Sequence, residues 1–207
     1  MVEAKHAPEF VVERDADVGL VQSARERLRA RGGEAPSFND LVIAAAARAL
    51  REHPRANASL DGDTLVLHER VNVGFAVAAA GTLFVPVVAD ADRKGVAAIA
   101  RETRVLAQAA RDGTIAPAAL AGGTFTVSNL GMLGVDAFTA ILNPPQVAIL
   151  AVARIRREPA FLDGAVVEAQ RVRLRLTCDH RVLYGADGAA LLATIAALLE
   201  EPLALAL

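Results

Sequence analysis

The stretch Leu174–Leu192, LRLTCDHRVLYGADGAALL, decides how this chain is read. Apolar and polar residues alternate up to a cysteine. A histidine and an arginine follow, then a glycine, then an apolar run. Extended backwards, the alternation puts Val172, Leu174, Leu176 and Cys178 on one face of a strand. Arg171, Arg173, Arg175 and Thr177 take the other face. The same phase carried forwards places His180 on the apolar side and Asp179 on the arginine side. His180 is thus expected to point into a covered, narrow space, where a neutral imidazole can take a proton from a thiol or hydroxyl.

Other readings of His180 compete on pattern alone. A histidine at a strand end is often a structural residue satisfied by its neighbours. A Cys178–His180 nucleophile pair shares a face, but side chains two apart on a strand stand about 6.5–7 Å from each other, too far for a direct relay. Metal binding has little support. His6, His53 and His68 show no ligand spacing, and one cysteine makes no thiolate cluster.

Upstream, Phe10 to Asp15 reads as a strand, and a polar helix is expected from about Asp17 to Arg31, stopped by Gly32 and Gly33. SFNDLVIAAAARALREHP is the clearest helix. Ser37 and Asp40 form a capping-box pattern, Phe38, Leu41, Val42, Ala45, Ala49 and Leu50 make one apolar face, and Pro54 marks the stop. Val71, Val73, Phe75 and Val77 alternate as in a half-buried strand. Leu83 to Val88 is apolar throughout, which predicts a strand covered on both faces. A helix over Gly95 to Arg111 has Val96, Ile99, Thr103, Leu106 and Ala110 as its inner stripe. GGTFTVSNLGMLG and PPQVAILAVARIRREP each supply a strand, Asp163-Gly164 a hairpin turn, and Ala189 to Glu200 a final helix. Helices and strands are mixed without a strict alternating repeat. The expected fold is α/β or α+β, with a mixed sheet flanked by helices.

The chain has 207 residues, 54% of them hydrophobic and 22% charged, enough for one domain with a full core. A net charge of -2 argues against a general nucleic-acid binder. The single cysteine excludes an intramolecular disulfide and fits a reducing compartment. The first fifteen residues hold no apolar core of signal-peptide length. Apolar stretches break before the roughly 18 residues of a membrane helix. A cytoplasmic protein without membrane or nucleic-acid partners is expected.

DHRVLYGADGA resembles the HRxxDG motif of the acyltransferase component of 2-oxo-acid dehydrogenase complexes, whose fold is shared with chloramphenicol acetyltransferases. NASLDGD, VNVGFAV, GTLFVPVVADADRK, GGTFTVSNLGMLG, NPPQVAILAVARI and EEPLALAL resemble further segments of that family, in its order, from about Pro8 to Leu207. The resemblance implies a trimer-forming enzyme that moves an acyl group between dihydrolipoamide and coenzyme A, of branched-chain or pyruvate type. It implies His180 as the catalytic base and Ser128 as the hydroxyl that stabilises the oxyanion. Asn129 and Gly131 would shape the turn beside Ser128, and Arg181 would anchor the histidine loop. No coenzyme-binding residue is assigned, and no metal is implied; coenzyme A is a substrate and the lipoyl group comes from a separate domain. The implied partners are two further copies forming the trimer, a cubic or dodecahedral core, a lipoyl domain, and the decarboxylase and dihydrolipoamide dehydrogenase subunits.

The chain departs from the pattern in two ways. Tyr184 stands where the family has Asp or Asn, so the loop support is changed or missing. The lipoyl and peripheral-subunit-binding domains have no counterpart here, so residues 1–207 read as one catalytic domain. Asp187 is a candidate cap for the last helix. A pattern-level alternative exists for Ser128, as a plain turn residue. RVRLR reads either as a solvated strand face or as a phosphate stripe. LALAL reads either as self-packing or as docking on another copy. Two rival functions are a catalytically weakened scaffold, disabled at Tyr184, and a stand-alone chloramphenicol-type acetyltransferase. Asp179-His180 in place of paired histidines speaks against the latter.

Overall fold

The computed structural model describes residues 7–79 and 81–205. A six-stranded mixed sheet forms its centre. In chain order the strands are β1 (Glu9–Asp17), β2 (Ala58–Asp61), β3 (Thr64–Leu67), β4 (Val73–Phe75), β5 (Val77–Ala79), β6 (Thr82–Phe84), β7 (Val87–Val88), β8 (Phe125–Asn129), β9 (Ala148–Leu162) and β10 (Ala165–Asp179). The helices are α1 (Gly19–Ala30), α2 (Phe38–Glu52), α3 (Val96–Arg111) and α4 (Gly185–Glu200). The main sheet runs β1-β10-β9-β8-β4-β7, with β8 parallel to both β9 and β4 and the other neighbours antiparallel. Two small hairpins, β2–β3 and β5–β6, stand apart from it.

One face of the sheet buries the main core against the helices. Val172, Leu174, Leu176 and Cys178 are all fully buried there, as their alternation requires. The opposite face holds a smaller cluster. Ile149 and Ala151 of β9 pack with Ala140 and Leu142 of the loop leading into that strand. The successive residues Ala148–Ala153 are therefore all buried, each parity by a different layer.

α2 differs from the expected one-sided helix. Asp40–Ala47 are buried without a break, so the helix is enclosed nearly all round. Its run of alanines keeps the helix slim, which permits close packing among α4, α3 and the sheet. Its start follows the expected capping box. Ser37 Oγ accepts from the Asp40 N–H at 3.1 Å, and Asp40 Oδ2 accepts from the Ser37 N–H at 2.6 Å. The buried Asp40 also accepts from the Thr103 hydroxyl at 2.6 Å, tying α2 to α3.

Two further expectations change, and β9 carries an irregularity of its own. Leu83–Val88 is not one covered strand. Leu83 is 65% exposed on the β5–β6 hairpin, while Val87–Val88 form a two-residue edge strand. Pro86 separates the two, and its carbonyl accepts from the Phe75 N–H. β9 changes phase midway. Val172 faces Ile155 while Leu174 faces Val152, so two β9 residues oppose the single residue Arg173. Finally, the last helix starts at Gly185 rather than Ala189, next to the histidine. The Asp163-Gly164 turn is as expected, with φ of 50° and 82°, the left-handed pair that suits a tight hairpin.

Arg173 and Arg175 are neither a bare stripe nor merely solvated. Each pairs with an acidic residue directly across on β1, Arg173 with Asp15 and Arg175 with Glu13. Leu205 of the tail packs on its own chain at 2% exposure, and Arg48 holds the carbonyls of Ala204 and Leu205, while Leu203 stands 77% exposed. The remainder of LALAL, and His6, lie outside the described residues.

Candidate active site

β10 ends at Asp179, and the chain turns at once. The N–H groups of Val182 and Leu183 both bond back to the Asp179 carbonyl, at 3.1 and 2.9 Å. The strand phase therefore stops one residue before the histidine. Asp179 is buried at 3% exposure and His180 is exposed on the single chain, the reverse of the expected placement. The turn replaces strand alternation with a tight reversal, which periodicity cannot follow past its last paired residue.

The turn is braced from several directions. The His180 N–H donates to the Pro8 carbonyl at 2.8 Å. The Arg181 guanidinium closes on the Asp179 carboxylate, with Nε to Oδ1 at 3.0 Å and Nη2 to Oδ2 at 2.5 Å. The Arg181 N–H also donates to Asp179 Oδ1 at 3.0 Å. This hydrogen bonding holds the guanidinium pKa above its ordinary value. Arg55 Nη2 donates to the Val182 carbonyl at 2.7 Å. A concave space of about 410 Å³ lies beside the turn, bordered by Leu60, Asp61, Leu142, Pro145, Asp179 and Arg181.

Tyr184 is the N-cap of α4, yet its hydroxyl braces nothing there. Instead its backbone N–H donates to Asp187 Oδ2 at 2.9 Å. Asp187 is thus the third helical residue, reaching back, and not the cap itself. The Tyr184 ring lies edge-to-face with the His180 ring, centroids 5.7 Å apart. His180 differs from the two other histidines described. His53 engages Thr194 Oγ1 and His68 engages Ser59 Oγ, each at 2.9 Å. Among the described residues, the His180 ring has no such hydrogen-bond partner, which leaves its nitrogens open to a ligand.

Ser128 sits at the end of β8, half-buried. Asn129 shapes the following turn. Its Oδ1 accepts from the Gly131 N–H at 2.9 Å, and its Nδ2 donates to Asn39 Oδ1 at 3.1 Å. A Cβ on Gly131 would lie 2.5 Å from the Ala153 carbonyl oxygen, so only glycine fits this approach to β9.

The structure makes two clusters of the expected residues. His180, Arg181 and Tyr184 form one; Ser128, Asn129 and Gly131 form the other. Ser128 pairs with Ala151, and Ala151 with Arg175, so Ser128 stands level with Arg175 two strands away. His180 lies five residues further along. At about 3.3 Å per residue and 4.8 Å per strand spacing, the two backbones are roughly 16 Å apart along the sheet and 10 Å across it. One chain alone does not bring the two side chains to one reacting atom.

Asp179, Asn39 and Arg55 were missed from the sequence. An acid and a base flanking a histidine at i and i+2 was the available signal for Asp179. Nothing local marks Asn39, on α2, or Arg55, on the short turn of Pro54–Ala56 that follows it. Cys178 is fully buried, and burial pushes its thiol up to about 12, so it is not a nucleophile for this site. Among the described residues no group of three or more metal-ligating side chains occurs.

Known proteins resemble this chain over nearly its whole length. Component 3 of the Arabidopsis thaliana mitochondrial pyruvate dehydrogenase complex, a dihydrolipoyllysine-residue acetyltransferase, is 42% identical over 202 residues. That match covers 94% of this chain but 38% of the relative, so the chain spans well under half of that protein. Two solved structures superpose with a TM-score of 0.94 at 32% identity, covering 100% of this chain and 87% of theirs. One is the cubic core of a pyruvate dehydrogenase multienzyme complex. The other comes from work on the catalytic roles of a serine, a histidine and an asparagine in Azotobacter vinelandii dihydrolipoamide acetyltransferase. Chloramphenicol acetyltransferase shares the fold, with a TM-score of 0.61 at 16% identity, covering 96% of this chain and 92% of that one. The family model for the catalytic domain of 2-oxoacid dehydrogenases acyltransferase matches residues 1–207, and the chain belongs to that family.

Proposed function

We propose that this chain is the catalytic core of a dihydrolipoamide acyltransferase that moves an acetyl group between dihydrolipoamide and coenzyme A. One observation carries the reading: His180 presents an exposed imidazole, with no hydrogen-bond partner for its ring among the described residues, on a turn braced through Asp179 and Arg181. The serine, histidine and asparagine of the Azotobacter vinelandii enzyme are numbered 52 and then 4 positions apart. Ser128, His180 and Tyr184 repeat both intervals.

In the proposed reaction the His180 imidazole takes the proton of the attacking thiol. The thiolate adds to the thioester carbonyl, and the Ser128 hydroxyl donates to the oxyanion that forms. Collapse expels the second thiolate, which recovers the proton from the imidazolium. Thioester exchange is nearly balanced in energy, so catalysis rests on alignment, proton transfer and charge stabilisation. Loss of one oxyanion donor costs about 10²–10³ in rate.

The separation of the two clusters within one chain supports a trimer, in which Ser128 of one copy faces His180 of the next. Assembly of trimers into a cubic or dodecahedral core is proposed with it, as are a lipoyl domain, a decarboxylase and a dihydrolipoamide dehydrogenase as partners. Acetyl transfer, the pyruvate type, is preferred because two relatives at 42% identity bear that name, while a succinyltransferase stands at 39%. The test is acyl transfer from acetyl-, isobutyryl- and succinyl-CoA to free dihydrolipoamide. Turnover fastest with acetyl-CoA, abolished in His180→Ala, is expected. Intact trimers without turnover on any acyl group would overturn the proposal in favour of a scaffold.

A further inference from the structure

We propose that Phe10 and Tyr184 are positioning residues whose rings fix the orientation of the His180 imidazole; the inference rests on the acyltransferase reading above. The His180 ring has two aromatic neighbours. Phe10 of β1 lies at a centroid distance of 4.8 Å with 61° between the ring planes. Tyr184, just ahead of α4, lies at 5.7 Å with 71°. Both are edge-to-face contacts, the arrangement favoured by ring quadrupoles.

The Phe10 ring is held independently of the histidine. Phe10 is paired in register with Cys178 at the end of β10. Its ring lies over the start of α4, where a Cβ on Gly188 would meet it at 3.4 Å and Cys178 Sγ at 3.2 Å. Gly188 therefore opens the space in which the ring rests. The Tyr184 backbone is fixed by the bond from its N–H to Asp187, and its ring, 58% exposed, rests against the imidazole from the solvent side. The strand start, the strand end and the helix start thus converge on one imidazole, whose own backbone N–H is tied to Pro8.

This arrangement accounts for Tyr184 without a hydrogen bond from its hydroxyl. A shorter amide here would depend on a directed polar contact; in this chain shape and ring contact restrict the imidazole and leave both ring nitrogens to the reacting thiols. A general base swung out of line loses rate with little effect on substrate binding. Alignment errors of about 1 Å cost as much as 10²-fold.

The experiment combines kinetics with NMR of the full chain. Tyr184→Phe is expected to keep kcat within about twofold, while Tyr184→Ala and Phe10→Leu lower it about tenfold or more with KM for acetyl-CoA nearly unchanged. The imidazole proton resonances of His180, assigned by their loss in His180→Gln, are expected to show ring-current shifts that relax towards free histidine in Tyr184→Ala. Equal losses in Tyr184→Phe and Tyr184→Ala would overturn the proposal, because the hydroxyl would then be the active part. So would a Tyr184→Asn variant faster than the parent, or His180 resonances at free-histidine positions in the parent chain. An inactive parent with shifted resonances would sink the acyltransferase reading while leaving the ring contacts established.

Discussion

The Arg181 guanidinium folds back across His180 onto the buried carboxylate of Asp179, so the imidazole projects from a loop whose two flanking side chains grip each other. The pair closes a ring of three residues at the last paired position of β10. It converts a strand end, ordinarily free to fray, into a fixed platform.

Removing that grip has two expected effects. Arg181→Ala leaves a carboxylate at 3% exposure without its cation. A loss of about 1–3 kcal/mol is expected, below the cost of a fully buried pair because the Arg181 side chain is 47% exposed. Urea unfolding measures it. Transfer activity is expected to fall further than stability explains, and a variant that kept full kcat would show that the loop holds without the pair.

Gly131→Ala tests the second cluster. The added Cβ meets the backbone of Ala153, which cannot move aside without disturbing β9. About 1–3 kcal/mol of destabilisation is expected, together with lost turnover as Ser128 shifts. Thermal denaturation and the acyl-transfer assay read the two effects separately.

Cys178 is expected to be inert. Burial pushes its thiol pKa up to about 12, so almost no thiolate exists near pH 8. A chromogenic disulfide reagent should label the native protein far more slowly than the unfolded chain. Cys178→Ala should retain transfer activity, and its loss would reopen the thiol as a participant.

Acid sensitivity should appear at the β1–β10 edge. Hydrogen bonding to Arg173 lowers the Asp15 carboxyl below its ordinary value near 3.8. A depressed folded pKa means the contribution is complete above about pH 4–5 and is lost as pH falls through the folded value. The pair is partly exposed and is worth about 1 kcal/mol or less. Asp15→Asn should flatten the acid limb of a stability–pH profile between about pH 5 and pH 2 by that amount.

Much of the fold was legible in the residues. The alternation of Val172 to Cys178, the capping box at Ser37 and the left-handed turn at Asp163-Gly164 depend on neighbours within a few positions. Local stereochemistry therefore specified them. The phase change in β9 and the enclosure of α2 were not legible, because each depends on what packs across from the residue. An alanine run reads the same whether one face or every face is covered.

The sequence by itself determined that a histidine would stand at the end of β10, ahead of the last helix, with an arginine beside it and a tyrosine four residues on. Tertiary structure alone decided that this histidine is exposed while its neighbouring aspartate is buried. It also decided that Phe10 lies against the ring and that Ser128 is too distant in the same chain. The physical reason is that periodicity carries information along a strand only while the strand continues. At Asp179 the chain turns, and from there side-chain direction is set by contacts between residues far apart in the sequence.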